Sequence, residues 1–424
     1  MKLAINGGKP VLTRPLSTVY NIGAEEVREV VSLLRKGPLS NFVGVAGDRF
    51  LGGKNVKRLE AAFCKKFGVS HAVSFNSAST ALSAAVSALS IGPGDEVIVP
   101  PFTMSASVMC VIANGAVPVF ADIDGKNFCI DPKDVISKIT KRTKAIMVVN
   151  LFGGPANFTD LLEITKKFHL KIIEDNAQSP GAKYGGKFAG TIGDVGIFSF
   201  NVHKVMQSGE GGVLITNNND LAFRAQLVRN HGEIIADSLE DYSLGPIFGS
   251  NLRMTELEAV IAYHQLAKLD YLNSKRIKLA DYLTDQLSKI DGLTPPYVDK
   301  KHGDKHVYYL LPIKVDAKKL GISRDMFADA MTAEGFPMSK GYVKPIYLLK
   351  LFAEKKAFNN TNFPFDYYDG RPDYSKGLCP VCERLWKSEL TYTDICQYPR
   401  TKSHIDKFLA AVEKVINNGQ ELLK

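Results

Sequence analysis

The chain has 424 residues, 45% of them hydrophobic, with a formal net charge of +9 and a pI of about 9.0. It is long enough for two or more domains with substantial cores. It lacks the roughly eighteen consecutive apolar residues that a spanning helix needs, and the opening MKLAINGGKPVLTRPL lacks an export signal's apolar stretch, so a cytoplasmic protein off the membrane is predicted.

The first twenty residues read as an extended arm, followed by a helix over 23–37 and a glycine-rich stretch to Gly53. An amphipathic helix with a glycine stop is predicted over 55–68. Strands and helices then alternate: strand 71–75, helix 77–91, strand 95–100, helix 104–115, and strands 117–123, 145–150, 171–175, 195–200 and 212–217. Continuous Val/Ile/Phe runs between helices predict an α/β fold, with a large, mostly parallel sheet covered by helices on both faces. A long helical stretch spans 249–290. The pattern then changes to a strand at 306–315, a helix at 323–335 and a closing helix at 403–419, a smaller α+β C-terminal domain. The division is an N-terminal arm (1–22), a large domain (23–275) and a small domain (276–424).

Lysines are scattered, and no basic arm with interleaved aromatics occurs. Nucleic acid is therefore not an expected partner, and the charge suits a mild attraction for phosphorylated small molecules. The six cysteines, Cys64, Cys110, Cys129, Cys379, Cys382 and Cys396, are too sparse for a disulfide framework and fit reduced thiols. Cys379 and Cys382 form a C-x-x-C without a second ligand pair, so they read as packing thiols and no metal is expected.

Ligands of open α/β sheets bind at the carboxyl ends of the strands. After strand 71–75 come Asn76-Ser77-Ala78-Ser79-Thr80, small residues opening a helix whose positive end can hold a phosphate; an ordinary N-cap is the plainer reading. Neither G-x-x-x-x-G-K-[ST] nor G-x-G-x-x-G after a strand occurs, which disfavours a nucleotide loop and an NAD-dependent oxidoreductase. Asp175 ends an apolar strand and needs a cationic or hydrogen-bonding partner, which a protonated pyridine nitrogen would supply and a salt bridge or cap equally so. Gln178 follows three residues on. Lys204, after FSF and before SGEGG, becomes a nucleophile toward an aldehyde if burial lowers its pKa; otherwise it is a solvated charge. Ser199 lies five residues earlier, within reach of a phosphate. Singly these signals are weak. Together they describe an anion cradle, an acid for a pyridinium and an amine for an aldehyde, the three handles of pyridoxal phosphate (PLP).

At this point the sequence resembles the fold type I, PLP-dependent sugar aminotransferases of the DegT/StrS type, from NGGKP (6–10) to the last helix. The most specific pieces are GDEVIVPPFTMSASV (94–108), GAVPVFADID (115–124), IIEDNAQSPGAKYGGKFAGTIGDVGIFSF (172–200), the glycines after Lys204, and GSNLRMTELEAVIAYHQLAKL (249–269). The resemblance implies that Lys204 forms the Schiff base with the cofactor and that Asp175 faces the pyridine nitrogen. Gln178 would lie beside the ring, and Ala78, Ser79 and Ser199 would hold the phosphate. Asn251 would reach the phosphate of a neighbouring subunit, which implies a homodimer with shared active sites. Two departures stand out. Met104 occupies the position that usually stacks an aromatic ring on the cofactor, with Phe102 the other candidate, and Ser77-Ala78-Ser79 replaces a Gly-Thr pair.

One branch of that family carries histidine in place of the lysine and dehydrates sugars. Counted from FSF, Lys204 holds the position here and His203 reads as a wall residue. Amino transfer from glutamate or glutamine is therefore expected, to a nucleotide-linked keto-deoxysugar or to a keto-cyclitol such as scyllo-inosose. A sugar dehydratase and a non-catalytic PLP-binding regulator are the alternatives. Tyr342, Lys344 and His306 are candidate acceptor contacts, and RNHG (229–232) either lines the site or ends a helix.

Overall fold

The computed structural model describes residues 2–16, 21–238, 247–359, 361–370 and 372–423. Seven strands build its main sheet: β1 (His71–Phe75), β2 (Glu96–Val99), β3 (Val117–Phe120), β4 (Thr143–Val149), β5 (Lys171–Asp175), and, beyond a small hairpin of β6 (Lys183–Tyr184) and β7 (Lys187–Phe188), β8 (Val195–Ser199) and β9 (Gly212–Thr216). Their order is β1-β9-β8-β5-β4-β2-β3, all parallel except β9, which runs antiparallel to both neighbours. Phe75 and Ser199 both pair with Gly212, so the carboxyl ends of β1 and β8 meet the start of β9 on one rim.

The helices of this part are α1 (Ala24–Lys36), α2 (Lys54–Phe67), α3 (Ala78–Ala88), α4 (Ala106–Ala113), α5 (Pro132–Lys138), α6 (Phe158–Phe168), α7 (Asn219–Arg229), α8 (Glu233–Ser238) and α9 (Glu256–Leu287). The strands are apolar on both faces because both faces are covered. Val213 and Ile215 pack with Leu59 and Phe63 of α2 and Ala262 of α9. Leu214 between them packs with Ala81, Leu82 and Ala85 of α3.

A second, antiparallel sheet joins β10 (Leu293–Thr294), β11 (Leu311–Val315) and β12 (Leu390–Thr393). Its core takes Leu283 and Leu287 from the far end of α9, and Phe336, Phe408 and Val412. The line expected at 275/276 falls inside α9, which serves both cores: Ala259 to Leu272 pack on the main sheet and Ala280 to Leu287 on the smaller one. Beyond β11 the chain returns to the main core, where Ile346, Tyr347, Phe352, Cys379 and Cys382 are buried. The arm docks on the smaller unit: Leu3 is buried in its core, and the N–H groups of Ala4 and Val11 donate to the Glu334 carboxylate at 2.9 and 3.0 Å.

Two expected elements are shorter than read. Of the helical stretch 249–290, the helix begins at Glu256, because Thr255 and Glu258 form a capping box. Of strand 306–315, only Leu311–Val315 pairs. Tyr308 has a positive φ of 50°, and the N–H groups of Val307 and Leu310 bond to the carbonyls of Gly153 and Phe152.

Candidate active site

One cavity of about 1160 Å³ opens at the carboxyl rim of the main sheet. Its wall includes Ala78, Ser79, Met104, Asp175, Gln178, Ser199, His203, Lys204 and Tyr342, residues that lie far apart in sequence. Each main-sheet contribution comes from a strand end or from the turn that follows it.

Strand alternation decides which carboxylate of β5 reaches the cavity. Glu174 turns away and is fully buried, accepting hydrogen bonds from the N–H groups of Gly190, Ile192 and Gly193 at 2.6–2.7 Å. Asp175, at the strand end, lines the cavity. Its Oδ2 accepts from the Ser107 hydroxyl at 2.6 Å and its Oδ1 from the Ala177 N–H at 3.0 Å. Ser107 lies on α4 and also contacts the Thr103 hydroxyl at 3.0 Å. Sequence reading placed 104–115 in a helix but had no means of assigning this serine to Asp175, since helix 4 and strand 5 meet only in the fold.

Lys204 sits in the turn between β8 and β9, its N–H bonded to the Asn201 carbonyl at 2.8 Å. Its Nζ stands 4.8 Å from the ring centroid of Tyr309, which the segment before β11 delivers. Burial lowers the pKa of this amine, and the Asp175 carboxylate partly opposes the shift. A buried amine with a depressed pKa is chemically suited to attack an aldehyde. His203, its neighbour, is exposed.

Ser77 caps α3, its hydroxyl accepting from the Thr80 N–H at 3.2 Å. The cap reading and the anion reading therefore hold together: Ser77 takes Thr80, while Ser79, exposed at the second position of the helix, faces the cavity. Opposite, Gly212 packs its backbone closely against this terminus, where a Cβ would lie 2.6 Å from the Ala78 nitrogen. Ser199, also on the wall, receives the Asn201 N–H on its hydroxyl at 3.3 Å. The helix terminus and its small residues on the cavity wall fit a phosphate, and Asp175 and Lys204 fit the rest of PLP.

Gln178 is buried and oriented at both ends of its amide. Its Oε1 accepts from the Phe152 N–H at 2.8 Å, and its Nε2 donates to the Tyr342 hydroxyl at 2.9 Å. Of the two candidates for covering a ring, Met104 is 60% exposed on the cavity wall, whereas Phe102 is 1% exposed and packs edge-on against Phe152 and Tyr342. The ring of Phe102 belongs to the core, because the strand end turns it inward.

Other expected positions lie elsewhere. Asn251 is outside this cavity, exposed on the segment before α9, where it bridges to Asn230. His306 is buried behind the wall, with burial lowering its pKa to about 3, and Lys344 is exposed away from it. RNHG ends α7, with Arg229 its last residue and Asn230 its C-cap, and Arg229 pairs with Glu60 at 2.7 Å. Cys379 and Cys382 are free, buried thiols; the backbone N–H groups of Val381 and Cys382 bond to Asp122. Among the described residues, no cluster of three metal-ligating side chains occurs and no helix is long and apolar enough to cross a membrane.

A model of the DegT/DnrJ/EryC1/StrS aminotransferase family matches residues 43–366. The chain belongs to that family. It is accordingly a PLP-dependent aminotransferase of fold type I, as the resemblance implied. The chain is similar to the L-glutamine:2-deoxy-scyllo-inosose aminotransferase of Streptoalloteichus tenebrarius, 32% identical over 432 residues and covering 99% of each chain. It is also similar to a putative L-glutamine:3-amino-2,3-dideoxy-scyllo-inosose aminotransferase of Micromonospora echinospora, 36% identical over 427 residues, with 100% of this chain and 99% of the other covered. Among solved structures, an aminotransferase from Psychrobacter cryohalolentis superposes with a TM-score of 0.82 at 29% identity, covering 95% of this chain and 99% of that one.

Proposed function

We propose that this aminotransferase moves an amino group from L-glutamine, or glutamate, to a keto-cyclitol of the scyllo-inosose type, with nucleotide-linked keto-deoxysugars as the alternative acceptors. The observation that carries this reading is the meeting of Lys204 and Asp175 in one cavity, in a chain similar over its whole length to relatives named for glutamine and inososes.

When bound, PLP supplies an aldehyde that couples to amines and a ring that takes up the electrons of a carbanion. The chain's own residues do the rest. Lys204 would hold the aldehyde carbon of the bound cofactor. Its Nζ, when free, would take the proton from the donor's Cα and give it back, as base and acid in turn. Asp175, fixed by Ser107 and the Ala177 N–H, keeps a proton on the ring nitrogen. Ala78, Ser79 and Ser199 receive the phosphate at the α3 terminus. Met104 would cover one face of the ring, and Gln178, held by Tyr342, would lie beside it. The keto acceptor receives the amino group by the same proton movements in reverse.

The working unit in this reading is a homodimer in the cytoplasm, with Asn251 completing the phosphate site of the partner copy. Its support is that Asn251 is exposed and outside its own cavity, close in sequence to Phe248, which is 90% exposed. The experiment offers scyllo-inosose, 2-deoxy-scyllo-inosose and nucleotide-linked keto-deoxysugars to the pyridoxamine form and reads products by mass. An aminocyclitol is the expected product; a deoxy keto sugar without nitrogen would make the chain a dehydratase.

A further inference from the structure

Arg276 is a cation on the cavity wall that the steps above leave unused. It lies on α9, is 4% exposed, and donates from Nη1 to Asn273 Oδ1 at 3.1 Å and to the Val307 carbonyl at 3.4 Å. Its Nε is buried with no hydrogen-bond partner. The two other arginines of comparable burial each hold a carboxylate: Arg229 pairs with Glu60 and Arg324 with Asp325. Among the described residues Arg276 forms no salt bridge, and burial accordingly lowers its pKa to about 10. A buried guanidinium without a counter-ion is costly, and an anionic ligand that enters the cavity removes the cost.

The place of this cation selects the anion. Arg276 and Tyr309 line the same cavity, and the Lys204 amine stands 4.8 Å from the Tyr309 ring centroid. An α-amino acid reacting where Lys204 reacts carries its carboxylate two bonds from the reacting nitrogen. The phosphate cradle is built separately, from the α3 terminus and Ser199. A carboxylate is planar and matches one edge of a guanidinium.

We propose that Arg276 anchors the α-carboxylate of the amino donor, which makes the donor subsite one for α-amino acids rather than for amines in general. This rests on the amino-transfer reading above. In the ping-pong sequence the cyclitol acceptor has no carboxylate, so Arg276 serves one half-reaction and not the other.

The test uses the cofactor-loaded full chain, as wild type, Arg276→Gln and Arg276→Lys. Apparent Kd values for L-glutamine and for 4-aminobutanamide, which is glutamine without its α-carboxylate, are read from the cofactor's absorbance change. Reaction of the pyridoxamine form with scyllo-inosose and with a nucleotide-linked keto sugar forms the second arm. Expected is a roughly 10- to 100-fold weaker Kd for L-glutamine in Arg276→Gln, the loss of one charge-assisted contact. The Kd for 4-aminobutanamide and the KM for scyllo-inosose stay within about threefold, and Arg276→Lys recovers part of the loss. Equal weakening of both amines and the cyclitol would make Arg276 structural and overturn the proposal, and Arg276→Lys carries the same comparison if Arg276→Gln does not fold. A loss confined to the nucleotide-linked sugar would assign the anion to the acceptor and overturn it too. If wild type gives no absorbance response to any amino acid, the amino-transfer reading falls and takes this proposal with it; a response to both amines alike defeats only the proposal.

Discussion

Ser107→Ala isolates one hydroxyl and the charge it supports. The Ser107 Oγ donates to Asp175 Oδ2 at 2.6 Å, both groups are buried, and among the described residues the other hydrogen bond to that carboxylate is from the Ala177 N–H at 3.0 Å to Oδ1. A hydrogen bond to a charged group is worth about 1.5–3 kcal/mol, and removing the donor leaves one carboxylate oxygen desolvated without a partner. If that whole loss bears on how firmly Asp175 is held toward the cavity, the glutamine half-reaction slows by roughly 10- to 150-fold. The assay is the single-turnover rate of the loaded enzyme with L-glutamine, beside a urea unfolding midpoint. Thr103→Val is the control: Thr103 touches Ser107 at 3.0 Å but not Asp175, so its effect on the rate is expected to be smaller. A Ser107→Ala enzyme with the wild-type rate would show that Asp175 does not depend on this contact, and the reasoning from buried hydrogen bonds would fail here.

Lys204→Ala is expected to abolish turnover and the borohydride-trapped adduct on the peptide that carries residue 204, while His203→Ala keeps both; peptide mass mapping reads the outcome. Because burial lowers the Lys204 pKa, a larger fraction of this amine is neutral below pH 10.5 than in an ordinary lysine, so adduct formation with added PLP should reach its half-maximal rate at a lower pH than for a surface lysine. Asp175→Asn removes the charge that opposes the shift and should move that midpoint lower still; a move upward would contradict it. Phe102→Ala should cost about 3–5 kcal/mol of stability as a core deletion with little direct effect on cofactor contact, whereas Met104→Ala, 60% exposed, should leave the unfolding midpoint nearly unchanged and weaken cofactor retention. Gly212→Ala places a Cβ 2.6 Å from the Ala78 nitrogen and must displace the α3 terminus, so a marked loss of PLP affinity by equilibrium dialysis is expected, and undiminished affinity would remove the phosphate from that terminus.

The sequence by itself determined the local features and the strand ends that carry the chemistry. Apolar runs broken by amphipathic helices state a parallel sheet covered on both faces, because side-chain periods of 2 and 3.6 are properties of the chain alone. Asp175 and Lys204 were legible because each follows an apolar strand, and strand ends of such a sheet share one rim. Only the tertiary structure decided which distant groups meet them. Ser107 reaches Asp175 from another helix, Tyr342 reaches Gln178 across 164 residues, and Tyr309 covers Lys204 from the segment before β11. It also turned Phe102 into the core and left Met104 on the wall, though only Thr103 separates them. Thr255 and Tyr308 shortened two elements through a side-chain cap and a left-handed backbone. Such outcomes depend on which surfaces pack together, and packing is a property of the whole chain rather than of any window along it.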